Sequence, residues 1–502
     1  MIRHFRSTAT EPEARGREFG THHAAEIRRS VACYDALFER VAGGPVDVGA
    51  FGGAALDRII EFSPTLGAEL VGLAAGAGVE ATRIAALNAR TEIMATLRTR
   101  TRGECSTVVH VDSYSGRPLA LQTWDWYAEF ADQWLVWEIP HADGRCVTTV
   151  TEFGILGKAG VTNRGLGLLF NILHHARDGG PMGVPVHILA RAILDGSGDV
   201  NAALQLAHSA AVSASSCMTL VAAADGASVA VAVEVHPGGP ALVFPGAGGL
   251  LVHTNHFLAA AARPHDLEPA MFPDTEIRHD LLVRRLRGRA VSRATALAAM
   301  NSHLGGIAAV CCHPDPGQPR TGQYETLATI VLDVAAGTLE ALPGGPCRHV
   351  VDTPSFPPER NRPMLKLKRI DNMDILTHDV QRLVDFYHGV LGLPFFLPYQ
   401  PEERWAALDT GNLTLYVFHT TNTTANPHRT AVNLEDPPGF DSFAFEVENL
   451  DAAVAALDGK VRWVTERPIE WRHPSGTHYR YRPFFDPDGN MLYVTEPHKA
   501  GG

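Results

Sequence analysis

The sequence predicts an α+β protein of two domains: two packed sheets flanked by helices, αββα, then a duplicated βαβββ unit. Three observations predict it. Residues 16–100 carry apolar positions at helical spacing, and residues 105–342 alternate strand and helix signals. Beyond a proline-rich break, one strand–helix–strands order runs twice between residues 366 and 498. At 502 residues the chain is also too long for one ordinary core.

Composition narrows the function classes. Hydrophobic residues make up 45% and charged residues 20%, which is globular. A formal net charge of −12 without a Lys/Arg run argues against a nucleic-acid partner. Seven cysteines without a CxxC pair do not form a disulfide framework, and a reducing cytoplasm suits them. The first residues lack the apolar core of a signal peptide, and no apolar run is long enough to span a bilayer. The expected location is cytoplasmic, with no membrane partner.

The elements follow in order. Gly16 to Gly20 read as a turn before a helix whose residues Ile27, Val31, Tyr34 and Phe38 share one face. A second helical run ends at Gly76–Gly78. That pair is read as a helix C-cap and turn rather than a dinucleotide fingerprint, which needs a preceding strand. A third helix is expected over 80–97 and carries Leu87, Asn88, Arg90 and Glu92. Residues 135–139 and 146–151 read as strands, and 154–171 as a hairpin turning through Thr162, Asn163 and Arg164. Residues 186–194 and 199–211 read as amphipathic helices, and 218–223 and 228–235 as strands.

The residues that carry chemistry cluster at the start of the strand region. Cys105 opens a strand-like run, Ser106 to His110, beside the hydroxyls of Ser106 and Thr107. It is followed by Asp125 between Trp124 and Trp126, a polar group in an apolar setting. For any single cysteine, an inert buried thiol is the plainer reading. The stretch around Cys105, the Leu87–Glu92 motif and the His253–Thr254–Asn255–His256–Phe257 element together resemble the acyl-coenzyme A:6-aminopenicillanic acid acyltransferase family, self-processing N-terminal-nucleophile hydrolases.

That resemblance implies cleavage between Glu104 and Cys105 into two chains that stay associated. The freed α-amine, with a pKa of about 8, then acts as base for its own thiol. It implies Cys105 as nucleophile, Asp125 as the group orienting amine or substrate, and Asn255 as oxyanion donor. Glu104, Thr107, Asn171, His253, His256 and Glu325 are expected to support them. Residue for residue there are departures. Glu104 stands where glycine precedes the nucleophile, Thr123 where asparagine precedes Trp-Asp, and Gln323 with Arg320 where penicillin-processing members carry a site arginine. A penicillin substrate is therefore not expected. The partner expected instead is a small-molecule amide or acyl donor, with water or an amine as acceptor, in a homo-oligomer. His253 and His256 lack a third ligand spaced beside them, so no metal and no cofactor are expected.

Prolines 343, 346, 354, 357, 358 and 363 mark a linker over 343–365. The duplicated unit after it, with Phe386–Tyr387 before Val390–Pro394 and Phe485 to Tyr493 closing the second repeat, resembles the vicinal-oxygen-chelate (glyoxalase/bleomycin-resistance) superfamily. The positions where metal-using members carry ligands hold Asn372, Ser442, Tyr493 and a residue near Tyr416, a poor donor set. An aromatic recognition cavity lined by Phe386, Tyr416, Phe445 and Tyr493 is expected there. The alternative for the whole chain is a processing-defective binding or resistance protein acting through this domain; a third possibility is a metal-dependent isomerase or dioxygenase.

Overall fold

A computed structural model describes residues 2–97, 105–111, 117–196, 198–224, 226–246, 248–289, 291–349, 370–390, 393–411, 413–422, 439–472, 478–485 and 491–496. The chain divides into two compact units, Met1–Ser355 and Phe356–Gly502. The architecture is mixed α+β throughout.

The first unit opens with strand β1 (His4–Arg6) and six helices: α1 Pro12–His22, α2 Ala24–Ala42, α3 Val48–Phe62, α4 Pro64–Ala77, α5 Ala81–Asn88 and α6 Arg90–Thr96. Local chemistry sets several of their ends. Asp47 and Ser63 cap α3 and α4 by accepting from the Ala50 and Leu66 amides, and Gly78, at φ 64°, ends α4 in the left-handed conformation. Gly16 and Gly20, read from sequence as a turn, lie inside α1 instead. Their role is close packing: a Cβ on Gly16 would sit 1.9 Å from the Glu69 carbonyl oxygen, and one on Gly72 would sit 2.0 Å from that of Glu13. The buried Arg15–Glu69 pair, 2.5 Å, pins α1 to α4 where they touch.

The single helix expected over 80–97 is broken at Ala89. Asn88 explains the break. Its amide donates to Ile84 O and Gly154 O, both 2.9 Å, while its Oδ1 accepts from Leu156 N at 2.9 Å. The side chain thus ties the helix end to a turn of the first sheet.

The strands that follow are β2 Ser106–His110, β3 Leu119–Tyr127, β4 Trp134–Pro140, β5 Cys146–Glu152, β6 Ala159–Thr162, β7 Leu166–Ile172, β8 Ser216–Ala224, β9 Ala227–Val235, β10 Ala241–Val243, β11 Leu250–His253, β12 Tyr324–Asp333 and β13 Thr338–Pro343. They form an eight-stranded sheet, β1-β4-β5-β6-β7-β8-β9-β10, and a five-stranded one, β11-β2-β3-β12-β13. β2 and β3 lie against β7, and β12 and β13 against β5 and β6. Helices α7 (Val186–Gly196) and α8 (Val200–Ser209) cover the larger sheet. After the short α9 (Glu268–Met271), α10 (Asp274–Leu286) and α11 (Arg293–Met300) cover the smaller one. β2 and β3 pair antiparallel, Ser106 opposite Thr123, which seats Cys105 near Trp124.

β13 runs to Pro343 and a 3₁₀ turn occupies Pro346–Arg348, so residues 343–348 belong to the first unit rather than to a linker. Residues 350–369, which include the rest of the expected linker, lie outside the described residues. The second unit contains β14 (Ile370–Thr377), α12 (Val380–Val384), β15 (Phe395–Gln400), β16 (Trp405–Asp409) and β17 (Thr414–His419). The order then recurs as β18 (Gly439–Glu446), α13 (Leu450–Leu457), β19 (Arg462–Trp463), β20 (Ile469–Arg472), β21 (His478–Phe485) and β22 (Met491–Thr495). The two halves join along the antiparallel β14–β18 pair, and in each half the first strand runs parallel to the last. The second half carries one strand more than the expected three. No helix among the described residues is long and apolar enough to cross a membrane.

Candidate active site

Cys105 is 5% exposed at the entry to β2. Its own carbonyl is held from two sides, by Asn171 Nδ2 at 3.0 Å and by an Arg278 guanidinium nitrogen at 3.2 Å. Thr107 donates to Asn171 Oδ1 at 2.7 Å, and Gln122 donates to Thr107 Oγ1 at 2.9 Å, so a strand-to-strand amide chain fixes the orientation of Asn171. Arg278, at 1% exposure, is the hub. It also donates to Ser106 Oγ and to Asn255 Oδ1, both 3.1 Å, and reaches Asp274 at 3.2 Å. Asn255 in turn donates one amide hydrogen to Ile172 O at 2.9 Å. An amide nitrogen carries two hydrogens, so one donor direction is left over. Cys105, Thr107, Asn171 and Asn255 thus share one buried network.

Burial pushes the Cys105 thiol up to about 12, and the charge of Asp125 adds to the rise. The Asp125 backbone N–H, Lys158 and Arg278 pull the other way. A thiol so placed is protonated at neutral pH and needs a base to react.

A second buried network adjoins the first. Glu152 accepts from Lys158 Nζ at 2.7 Å, from Arg90 at 3.2 Å and from the Tyr34 hydroxyl. Although burial opposes it, Arg90 and Lys158 hold Glu152 below the usual carboxylate range. Lys158 Nζ lies 3.7 Å from the centre of the Trp124 ring, and the Arg90 guanidinium 4.3 Å from that of Trp126. Burial drops Lys158 to about 8, against the pull of Glu152. Both cations feel the Cys105 sulfur. Beside them a cleft is lined by Arg90, Met94, Trp126, Ile172, Leu173 and Asp178.

The two nominated histidines border the Cys105 network, His253 as the register partner of Thr107 across β11–β2. His253 is a buried partner of Glu234 at 2.9 Å, and His256 hydrogen-bonds Thr254 and Thr275. Burial and the neighbouring His253 push His256 down to about 3. Glu325 pairs with Trp126 across β12–β3 while Asp125 pairs with Thr326, which places Glu325 on the other face of the strand. Burial raises it, opposed by Arg348 and Arg320. Glu104 lies outside the described residues.

Arg278, Lys158, Glu152 and Tyr34 were not nominated from sequence. A lysine inside the buried run Ile155–Val161 was a usable signal, since an unpaired ammonium does not stay there. Arg278 sits 173 residues from Cys105 on an ordinary amphipathic helix and left none.

In the second unit, Asn372, Ser442, Tyr416 and Tyr493 gather around a carboxylate that the sequence reading had left out. Asp374 accepts from Asn372 at 2.7 Å, and the Ser442 hydroxyl, with one hydrogen to give, lies 3.0 Å from the Tyr493 hydroxyl and 3.4 Å from Asp374. Asp374 also stands opposite Tyr416 across β14–β17 and acts on its phenol. Trp405, Phe418, Trp471 and Tyr479 extend an aromatic wall from Tyr416. The Phe386 side chain lies outside the described residues.

Comparison with known proteins attaches a family to each part of the chain. Residues 113–346 match the acyl-coenzyme A:6-aminopenicillanic acid acyl-transferase family, and residues 369–494 match the glyoxalase/bleomycin resistance protein/dioxygenase superfamily. The chain therefore carries an acyl-transferase-family domain followed by a glyoxalase-superfamily domain. More particularly, it is 28% identical over 222 residues to the 40 kDa form of the acyl-coenzyme A:6-aminopenicillanic-acid-acyltransferase of Emericella nidulans. That match covers 44% of this chain and 59% of the relative's length. Among solved structures, methylmalonyl-CoA epimerase from Mycobacterium tuberculosis is similar at 20% identity, covering 26% of this chain and 89% of that one, with a TM-score of 0.20. A Streptomyces coelicolor methylmalonyl-CoA epimerase is similar at 24% identity, covering 26% and 97%, also with a TM-score of 0.20.

Proposed function

We propose that the first unit is a self-processing cysteine N-terminal-nucleophile enzyme that takes an acyl group from a small-molecule amide. The observation that carries the reading is the double grip of Asn171 and Arg278 on the Cys105 carbonyl, at the mouth of a strand and beside Asp125. Helices packed on the outside of two facing sheets agree with the αββα sandwich of that class.

In the first step the Cys105 thiol attacks the Glu104 carbonyl carbon. The acyl group moves from nitrogen to sulfur, and water cleaves the thioester. The thiol is regenerated and an α-amine appears on Cys105. In turnover that amine, near pKa 8, takes the thiol proton, the sulfur attacks the substrate carbonyl, and the amine returns the proton to the leaving group. The spare amide hydrogen of Asn255 donates to the oxyanion; its Oδ1 is locked by Arg278, so the amide does not turn away. Lys158 and Arg278 supply the positive field that offsets burial of the thiolate. Water as acceptor makes the enzyme an amidohydrolase, and an amine makes it an acyltransferase. The aromatic wall of the second unit serves ligand recognition, without a catalytic metal.

Intact-mass measurement tests the reading. Cleavage before residue 105, lost in Cys105→Ala, is the expected result. A single uncut chain that still hydrolyses amides overturns it.

A further inference from the structure

We infer that the first unit holds a structural transition-metal ion, zinc by preference, between His303, Cys311, His313 and Cys347. One donor atom from each lies within 4.8 Å of every other. His313 Nε2 is 3.0 Å from His303 Nε2, 3.6 Å from Cys311 Sγ and 3.4 Å from Cys347 Sγ. Tetrahedral zinc, about 2.0 Å from nitrogen and about 2.3 Å from sulfur, sets its ligands roughly 3.3–3.8 Å apart. The three separations from His313 already lie close to those of such a shell.

A ring nitrogen offers one in-plane hydrogen or one lone pair, so His313 Nε2 serves one of its three neighbours at a time, while the Cys311 and Cys347 thiols lie within bonding reach of each other. A single cation at the centre satisfies all four atoms at once. The two thiolates would balance its charge, and two imidazoles with two sulfurs are a donor set that selects zinc over magnesium or calcium. Four protein ligands leave no open position, so the ion is structural.

The surroundings are built for it. A Cβ at residue 345 would lie 2.5 Å from Cys311 Sγ, so Gly345 leaves the space the sulfur occupies. The ligands come from three segments: the loop after α11, the approach to β12, and the turn after β13. The ion would therefore staple the base of the β12–β13 hairpin to the helical cover. Cys312 N donates to Thr326 Oγ1 at 3.0 Å, and Thr326 is the register partner of Asp125. The staple thus braces the strand that flanks Asp125. The spacing, with no CxxC pair, hid the site in the sequence.

The test is metal content of the full-length protein expressed with added zinc and freed of loose metal by gel filtration. About one zinc per chain is expected, falling below about a tenth in the Cys311→Ser/Cys347→Ser double variant. It should be retained in Cys312→Ser, whose sulfur bonds Ile307 O and Tyr324 O instead. His303→Ala, at the exposed member of the set, should weaken zinc binding tenfold or more, as loss of even an outer-sphere partner does. Cobalt added to the metal-free wild type should show the thiolate charge-transfer band, a readout that does not depend on any variant folding. Less than a tenth of an equivalent in reconstituted wild type, a cobalt adduct without that band, a Cys311–Cys347 disulfide, or full zinc in the double variant would each overturn the site.

Discussion

Replacing Lys158 with methionine separates a stabilising ion pair from a charge kept for chemistry. Lys158 is 3% exposed, and its Nζ lies 2.7 Å from Glu152. Breaking a buried pair ordinarily costs about 3–5 kcal/mol, because the partner is stranded. Glu152 is not stranded here, since Arg90 at 3.2 Å and Tyr34 remain. The fall of Lys158 from an ordinary 10.5 to about 8 sets the opposing quantity: burying the ammonium costs about 3 kcal/mol. The sign follows from proton binding. Between pH 8 and 10.5 the unfolded chain binds more protons at this residue, so stability rises with pH across that window and the full cost is present below it. Methionine fills similar volume without the charge. At pH 7 the variant should unfold at an equal or higher urea concentration than wild type, and its advantage should shrink as pH rises past 8. Its self-cleavage should slow tenfold or more, because one of the two cations opposing the rise of the Cys105 thiol is gone. Urea unfolding at several pH values, with intact mass against time, reads both. A variant destabilised by about 3 kcal/mol at all pH values, yet cleaving at the wild-type rate, would refute the reasoning and make Lys158 a plain structural partner.

Three further outcomes are expected. The wild type should separate into chains of roughly 11 and 43 kDa, from 104/502 of 54.1 kDa and the remainder, while Cys105→Ala stays at 54.1 kDa and Cys105→Ser cleaves slowly by mass spectrometry. Asn255→Ala should lose about 3 kcal/mol of transition-state stabilisation, a rate loss of roughly a few hundredfold in single-turnover acylation; wild-type rates would leave Asn255 as a partner of Arg278 and Ile172 only. Glu92 is raised by burial from 4.5 to about 7, so the folded chain binds more protons between those values and stability falls as pH rises through them. Glu92→Gln, which keeps an acceptor for the Val186 amide, should therefore stabilise by up to about 3 kcal/mol at pH 8 and little at pH 5, by thermal unfolding.

Periodicity and turn chemistry are local, and what depends on them was legible in the chain itself. Ile27, Tyr34 and Phe38 are buried on one helix face, Gly78 ends its helix, and the strands at 146–152, 159–162, 166–172, 216–224 and 227–235 fall where alternation and turn residues put them. The repeat of the second unit was visible in the same way, as an order of elements. Local patterns mislead where a residue serves a distant neighbour. Gly16 and Gly20 have the composition of a turn, but a facing helix, not their own backbone, requires them to be small. Asn88 ends a helix because a loop 66 residues away takes its side chain.

The site divides along the same line. Cys105 and Asn255 stand in short contiguous motifs, so their neighbours in sequence announce them. Arg278, Glu152 and the four-residue cluster at 303, 311, 313 and 347 announce nothing, because their meaning lies in convergence, with Arg278 173 residues from Cys105 and Cys347 34 from His313. Burial is the physical reason. A charge or thiol on an exposed surface has water for a partner, and one inside must find protein, wherever in the chain that partner lies. Sequence determined which groups were available; only the tertiary fold decided which of them lost their water together.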